Sequence, residues 1–150
     1  MCFPPLAISA IIIKNNVDYK RRHDLEESNM GIVIIDLLGP NNYCIVNIYR
    51  SFNPANGITP LRFFESQLAI IKRAVTTSNN KKIVVSGDFN LDDSKRHALD
   101  YRNKIFFERL NQICDETNLM QLIEQPTWKR IVNNSVKTSI LDHIYVKKPK

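Results

Sequence analysis

At 150 residues, with 43% hydrophobic and 24% charged side chains, the chain is long enough for one domain with a real core and is neither disordered nor fibrous. Its formal charge of +6 favours a polyanionic partner such as nucleic acid, although Lys147, Lys148 and Lys150 at the tail supply half of that excess. Three widely spaced cysteines, Cys2, Cys44 and Cys114, form no CxxC pair, which argues against a zinc site or a disulfide framework and for a reducing compartment, nucleus or cytoplasm. The opening residues lack the cationic start and cleavage pattern of a secretory signal, and no apolar stretch approaches the roughly 18 residues that span a bilayer. The protein is therefore expected inside the cell, without a membrane partner.

In chain order, residues 7 to 13 read as a strand and "KNNVDYKRRHDLEESNM" as a polar loop holding the densest internal basic patch, Lys20 to His23. "GIVIIDLL" and "YCIVNIYR" are β-branched runs separated by the turn formers of "GPNN", an antiparallel hairpin ending at Tyr49. In "LRFFESQLAIIKRAVTTS" the residues Leu61, Phe64, Leu68, Ile71 and Val75 recur at steps of three and four, the stripe of an amphipathic helix. "KKIVVSG" reads as a short buried strand, and "IFFERLNQICDETNL" as a second helix through Phe106, Leu110, Ile113 and Cys114. "LMQLIE", "PTWKRIV" and "VKTSILDHIYV" close the chain as strands, the last two hairpin-like around Asn133 and Asn134. Helices alternating with hairpins and buried strands predict an α/β sandwich with mixed sheets in one domain.

The stretch "KKIVVSGDFNLDD" carries the chemistry. A glycine at the end of a strand permits a sharp turn and the close approach of a ligand. If the extended geometry persists, Asp88 and Asn90 share a face while Phe89 turns into the core. A carboxylate beside an amide suits phosphate-ester hydrolysis: the carboxylate orients or deprotonates water, or holds a hard cation, and the amide NH2 donates to a phosphate oxygen. The same two residues also serve as plain turn formers in many loops.

"SGDFN" after an apolar strand, with "IVNIYR" before it and "TSILDHIYV" after it, resembles the endonuclease/exonuclease/phosphatase family, and within it the endonuclease domain of non-LTR (LINE-like, jockey-like) retrotransposons. The resemblance runs from about Ala7 to Val146. It implies a DNase I-like fold of two mixed β-sheets packed face to face and flanked by helices, with Mg2+ or Mn2+ at the strand ends. By motif, Asp88 would activate the attacking water or bind metal, and Asn90 would contact the scissile phosphate or the metal. Tyr49 would place its hydroxyl near that phosphate, and Asp142 would orient a catalytic histidine. Arg50 and Asn53 beside Tyr49, and Trp128, Lys129 and Arg130 ahead of the last hairpin, are the expected DNA contacts. His143 stands next to Asp142, but strand alternation sends the two to opposite faces, so His143 is read as structural.

The family's metal-binding glutamate belongs to strands expected before Ala7, and its Ser-Asp-His clause to a strand expected after Asp142. Residues 1–150 therefore read as a partial domain, incomplete at both ends, with impaired hydrolysis and exposed apolar faces. The intact activity would be nicking of target DNA for retrotransposition, with a reverse transcriptase domain in the parent polyprotein. Two rival readings stay open, a catalytically silent DNA-binding relic and a repair-nuclease or phosphatase branch of the same family.

Overall fold

The computed structural model describes residues 9–40, 42–54, 57–78, 80–97 and 103–148. Cys2, Lys150 and the first two residues of the expected strand 7–13 lie outside them. Among the described residues, eight strands and two α-helices follow in the order β1 (Tyr19–Arg21), β2 (Ile32–Leu37), β3 (Tyr43–Tyr49), α1 (Pro60–Thr77), β4 (Lys82–Asp88), α2 (Lys104–Thr117), β5 (Leu119–Gln121), β6 (Trp128–Val132), β7 (Ser135–Ser139) and β8 (Asp142–Lys147). Neither helix is long and apolar enough to cross a membrane.

The strands form a six-stranded mixed sheet, β1-β2-β3-β4-β8-β5, and a separate two-stranded sheet, β6-β7. β3 and β4 are parallel neighbours, so the chain must cross over between them, and α1 makes that crossing. Thr59 starts α1 by accepting the Arg62 backbone N–H, 3.3 Å, on its hydroxyl, and Pro60 occupies the first turn, where its missing N–H costs nothing. The apolar stripe of α1 then lies on one face of the sheet. Phe64, Ile71 and Val75 join Cys44, Val46 and Ile48 of β3 and Val85 of β4 in the core. Each fully buried side chain of this size stabilises the fold by about 1.5–3 kcal/mol. α2 packs beside α1 with Phe107 innermost rather than Phe106, and ends at Asn118 in the left-handed conformation (φ 57) that stops helices.

Helices cover one face only. On the other, Ile45, Val84, Ile144 and Val146 are half-buried, and the β6-β7 hairpin is exposed at every residue except Val132 and Ser139. Its turn is the expected one, with Asn133 (φ 49) and Asn134 (φ 59) both at the positive φ that two-residue hairpin turns require.

Three expectations are revised. Residues 9–13 form no strand; the segment is tethered to the sheet through the Asn47 amide, which donates to Ser9 Oγ (2.7 Å) and to the Ala10 carbonyl (3.2 Å), and Ile12 is 99% exposed. The polar loop contains the edge strand β1, and its arginines are ion-paired: Arg21 with Glu26 (3.0 Å), Arg22 with Asp24 (2.8 Å) and with Asp36 (3.1 Å). "VKTSILDHIYV" is not one strand. It breaks at Ile140 and Leu141, because Asp92 accepts the Ile140 N–H (3.1 Å) and Thr127 Oγ1 accepts those of Leu141 and Asp142 (3.1 Å each). The first part pairs in the hairpin, and the second enters the large sheet between β4 and β5.

Candidate active site

Strand register places three of the expected site residues in one row. Tyr49 is the partner of Asp88 across the parallel β3-β4 pair, and Asp88 is the partner of Asp142 across the antiparallel β4-β8 pair. Partners in register project to the same side of a sheet. The row crosses the end of the sheet on the face that the helices leave open, with Tyr49 and Asp88 half-buried and Asp142 exposed.

Gly87 makes the row possible in a way the sequence reading missed. Its absent side chain clears room for the neighbouring strand rather than for a ligand. A Cβ there would overlap the Ile48 carbonyl oxygen and lie 2.9 Å from the Ile48 carbonyl carbon and nitrogen, and the backbone sits at φ 136. After Asp88 the extended geometry stops. Asn90 takes φ 49 and its N–H donates to Asp88 Oδ1 at 2.8 Å, an Asx-turn. Phe89 goes into the core as expected, where it stacks on His143 with ring centroids 4.8 Å apart.

Burial pushes the Asp88 carboxyl above its ordinary range, and the charge of Asp142 opposite adds to the rise; the Asn90 N–H and the Arg50 guanidinium pull the other way. A half-buried carboxylate with a raised pKa can accept a proton from water. His143 is fully buried and its Nε2 faces the carbonyls of Leu91 (2.9 Å) and Ile140 (3.2 Å), which fixes the proton on Nε2 and leaves Nδ1 to accept from the Tyr145 hydroxyl (3.0 Å). Burial holds its pKa below the ordinary value of 6.5. It is a neutral pin behind the site.

The remaining candidates are placed differently from one another. Asn90 is only 8% exposed, and its amide Nδ2 donates to the Arg50 carbonyl at 2.7 Å, so it turns inward rather than beside Asp88 on the open face. Arg50 is 2% exposed and faces the interior. Asn53 is exposed on the loop leaving β3. In the hairpin, Trp128 and Arg130 share one face with Lys137, the cross-strand partner of Arg130, while Lys129 falls on the other with Ile131. Lys137 was missed, and only the register could have revealed it. The hairpin leaves the sheet at the Asp142 end, since β7 and β8 are separated by Ile140 and Leu141 alone.

No family model and no curated protein matches the chain. Among solved structures, the "Endonuclease domain of TRAS1, a telomere-specific non-LTR retrotransposon" superposes with a TM-score of 0.66 over 91% of this chain at 21% identity. The shared fold is that of an endonuclease domain. The chain spans 58% of the length of that retrotransposon endonuclease structure.

A hard divalent cation needs one or two carboxylates and fills its remaining positions with water and substrate oxygens. Among the described residues no group of three or more His, Cys, Asp or Glu side chains is placed to hold a metal. The Asp88 and Asp142 pair still fits such an ion, because two neighbouring carboxylates, one with its pKa raised partly by the other, are relieved by a cation between them. Asn90, with its amide turned to Arg50, does not fit as a ligand.

Proposed function

We propose that the chain carries a metal-dependent phosphodiesterase site that nicks DNA. The observation that carries this reading is the Tyr49, Asp88 and Asp142 row at one sheet end within an endonuclease fold. Asp88 accepts a proton from the attacking water as its oxygen bonds to phosphorus. The P–O3′ bond breaks, the leaving 3′ oxygen takes up a proton from solvent water, and a nick with a 3′ hydroxyl and a 5′ phosphate results. Tyr49 donates a hydrogen bond from its hydroxyl to a phosphate oxygen as negative charge grows there. Asp142 with Asp88 would hold Mg2+ or Mn2+, which supplies Lewis-acid polarisation of the phosphate and water.

DNA is the proposed substrate, and the exposed hairpin face of Trp128, Arg130 and Lys137 is the proposed contact surface, with Asn53 at the site mouth. Arg130 and Lys137 stand directly opposite each other, a like-charge pair that a phosphate between them would relieve. A retrotransposon context, a reverse transcriptase domain in the parent protein and a nuclear or cytoplasmic location complete the proposal.

The exposed cationic hairpin also favours the second reading, a DNA-binding domain without turnover. A substrate panel separates the readings. Supercoiled plasmid should be nicked with Mg2+, and an abasic duplex should be cut no faster than an intact one. Preference for the abasic duplex or for inositol phosphates would move the protein to another branch of the fold. Plasmid binding without nicking would support the silent reading.

A further inference from the structure

We infer that Arg50 is a positioning residue that locks the Asp88 limb of the site to the Tyr49 limb, and not a phosphate contact. The bonds run in both directions. Arg50 Nε donates to the Phe89 carbonyl at 2.6 Å and its NH2 group donates to the Asn90 carbonyl at 2.7 Å, while the Asn90 amide returns a bond to the Arg50 carbonyl at 2.7 Å. The Arg50 backbone N–H reaches the Asp88 carbonyl at 2.9 Å. Residue 50 follows directly on Tyr49, so this ring ties the ends of β3 and β4 just beyond their last registered pair.

The guanidinium is built in rather than left over. It lies 4.7 Å from the Phe106 ring centroid, 5.4 Å from that of Phe52 and 5.6 Å from that of Phe64, within cation–π range of all three. A cation taken out of water is costly unless its protons find acceptors and its faces find polarisable partners. Here carbonyls take the protons and aromatic rings cover the faces. The planar fork spans two successive carbonyls, which the ammonium of a lysine cannot do with the same geometry. Both carbonyls belong to the turn in which Asn90 holds φ 49 and its N–H holds Asp88 Oδ1, so the fork fixes the carboxylate rotamer through the backbone.

The bond geometry stands without the phosphodiesterase reading, and only the effect on turnover rests on it. The test therefore has an arm that needs no activity. Amide hydrogen exchange is followed by NMR in the full chain and in Arg50→Lys, Arg50→Met and Asn90→Gly. In Arg50→Lys the Asn90 N–H should exchange about tenfold or more faster, while the sheet-interior amides of Val46 and Val85 keep their protection. Asn90→Gly, which tolerates the positive φ, should in turn speed exchange at the Arg50 N–H. Salt dependence of plasmid binding gives the second arm: losing a phosphate contact shallows the slope by about 0.9, whereas Arg50→Met should leave it unchanged. In turnover, Arg50→Lys should lower kcat with KM unchanged. Unaltered Asn90 exchange in Arg50→Lys, or a slope shallower by about 0.9 in Arg50→Met, overturns the assignment. Absence of DNA binding would sink the nuclease reading and leave the exchange result to decide on Arg50.

Discussion

Gly87→Ala is the substitution for which the structure gives the clearest cost. Alanine at φ 136 occupies a region that L residues rarely enter, a strain of about 1–3 kcal/mol. Its Cβ would also overlap the Ile48 carbonyl oxygen, which belongs to the backbone of the adjacent parallel strand and cannot rotate away. Forcing such atoms apart costs about another 1–3 kcal/mol, so the total loss is about 2–6 kcal/mol. With a urea m-value of about 2 kcal/mol/M for a chain of this size, the unfolding midpoint should fall by about 1–3 M. Equilibrium unfolding in urea, followed by circular dichroism, measures this directly. A midpoint within about 0.3 M of the parent would refute the view that Gly87 is required for β3-β4 contact. The lesion is aimed at function too, since the same contact sets Tyr49 beside Asp88.

Asp88→Asn should stabilise the protein at pH 7 in EDTA by up to about 1 kcal/mol, because burial and Asp142 disfavour the ionised form and water screens the exposed part of the group. The sign follows from its raised pKa: the contribution of Asp88 is fully present below 3.8 and is lost as pH rises through the higher folded value, so the gain in Asp88→Asn should vanish in acid. His143 acts oppositely. Its folded pKa lies below 6.5, so the unfolded chain takes up the proton first and stability falls as pH drops below 6.5, by at most about 1.4 kcal/mol per pH unit, a slope that His143→Gln should remove in urea titrations at pH 7, 6 and 5. On the hairpin, Arg130→Ala or Lys137→Ala should each shallow the salt slope of plasmid binding by about 0.9, while Lys129→Ala, on the other face, should leave it unchanged and none should shift stability beyond about 0.5 kcal/mol.

What the sequence disclosed was whatever periodicity and turn chemistry carry locally. The α1 stripe follows from spacing and the Asn133-Asn134 turn from turn chemistry, whereas Phe89 is buried although the extended geometry that predicted it stops at Asp88. The long closing strand misled because its interruption is long-range: Asp92 and Thr127 capture the amides of residues 140 to 142, and neither capture has a local signal. Tyr49, Asp88 and Asp142 were each legible, but their alignment in one row is a property of register. Arg50 and Asn90 looked like surface contacts because charge and polarity suggest exposure, and the structure satisfies both inside, against each other. The basic patch at Lys20 to His23 is neutralised partly by near neighbours, Asp24 and Glu26, and partly by Asp36 on β2, whose pairing with Arg22 depends on the fold.

The central claim, that the row at the sheet end hydrolyses phosphodiesters, is tested most directly by nicking of supercoiled plasmid with Mg2+, with EDTA, and with the Asp88→Ala variant. Removal of the proton acceptor should lower the rate by a factor of about 10² to 10⁴. The account predicts conversion to open circles that needs the metal and disappears with the substitution. Nicking that survives EDTA or persists in Asp88→Ala, or no nicking by the well-folded parent, would contradict it.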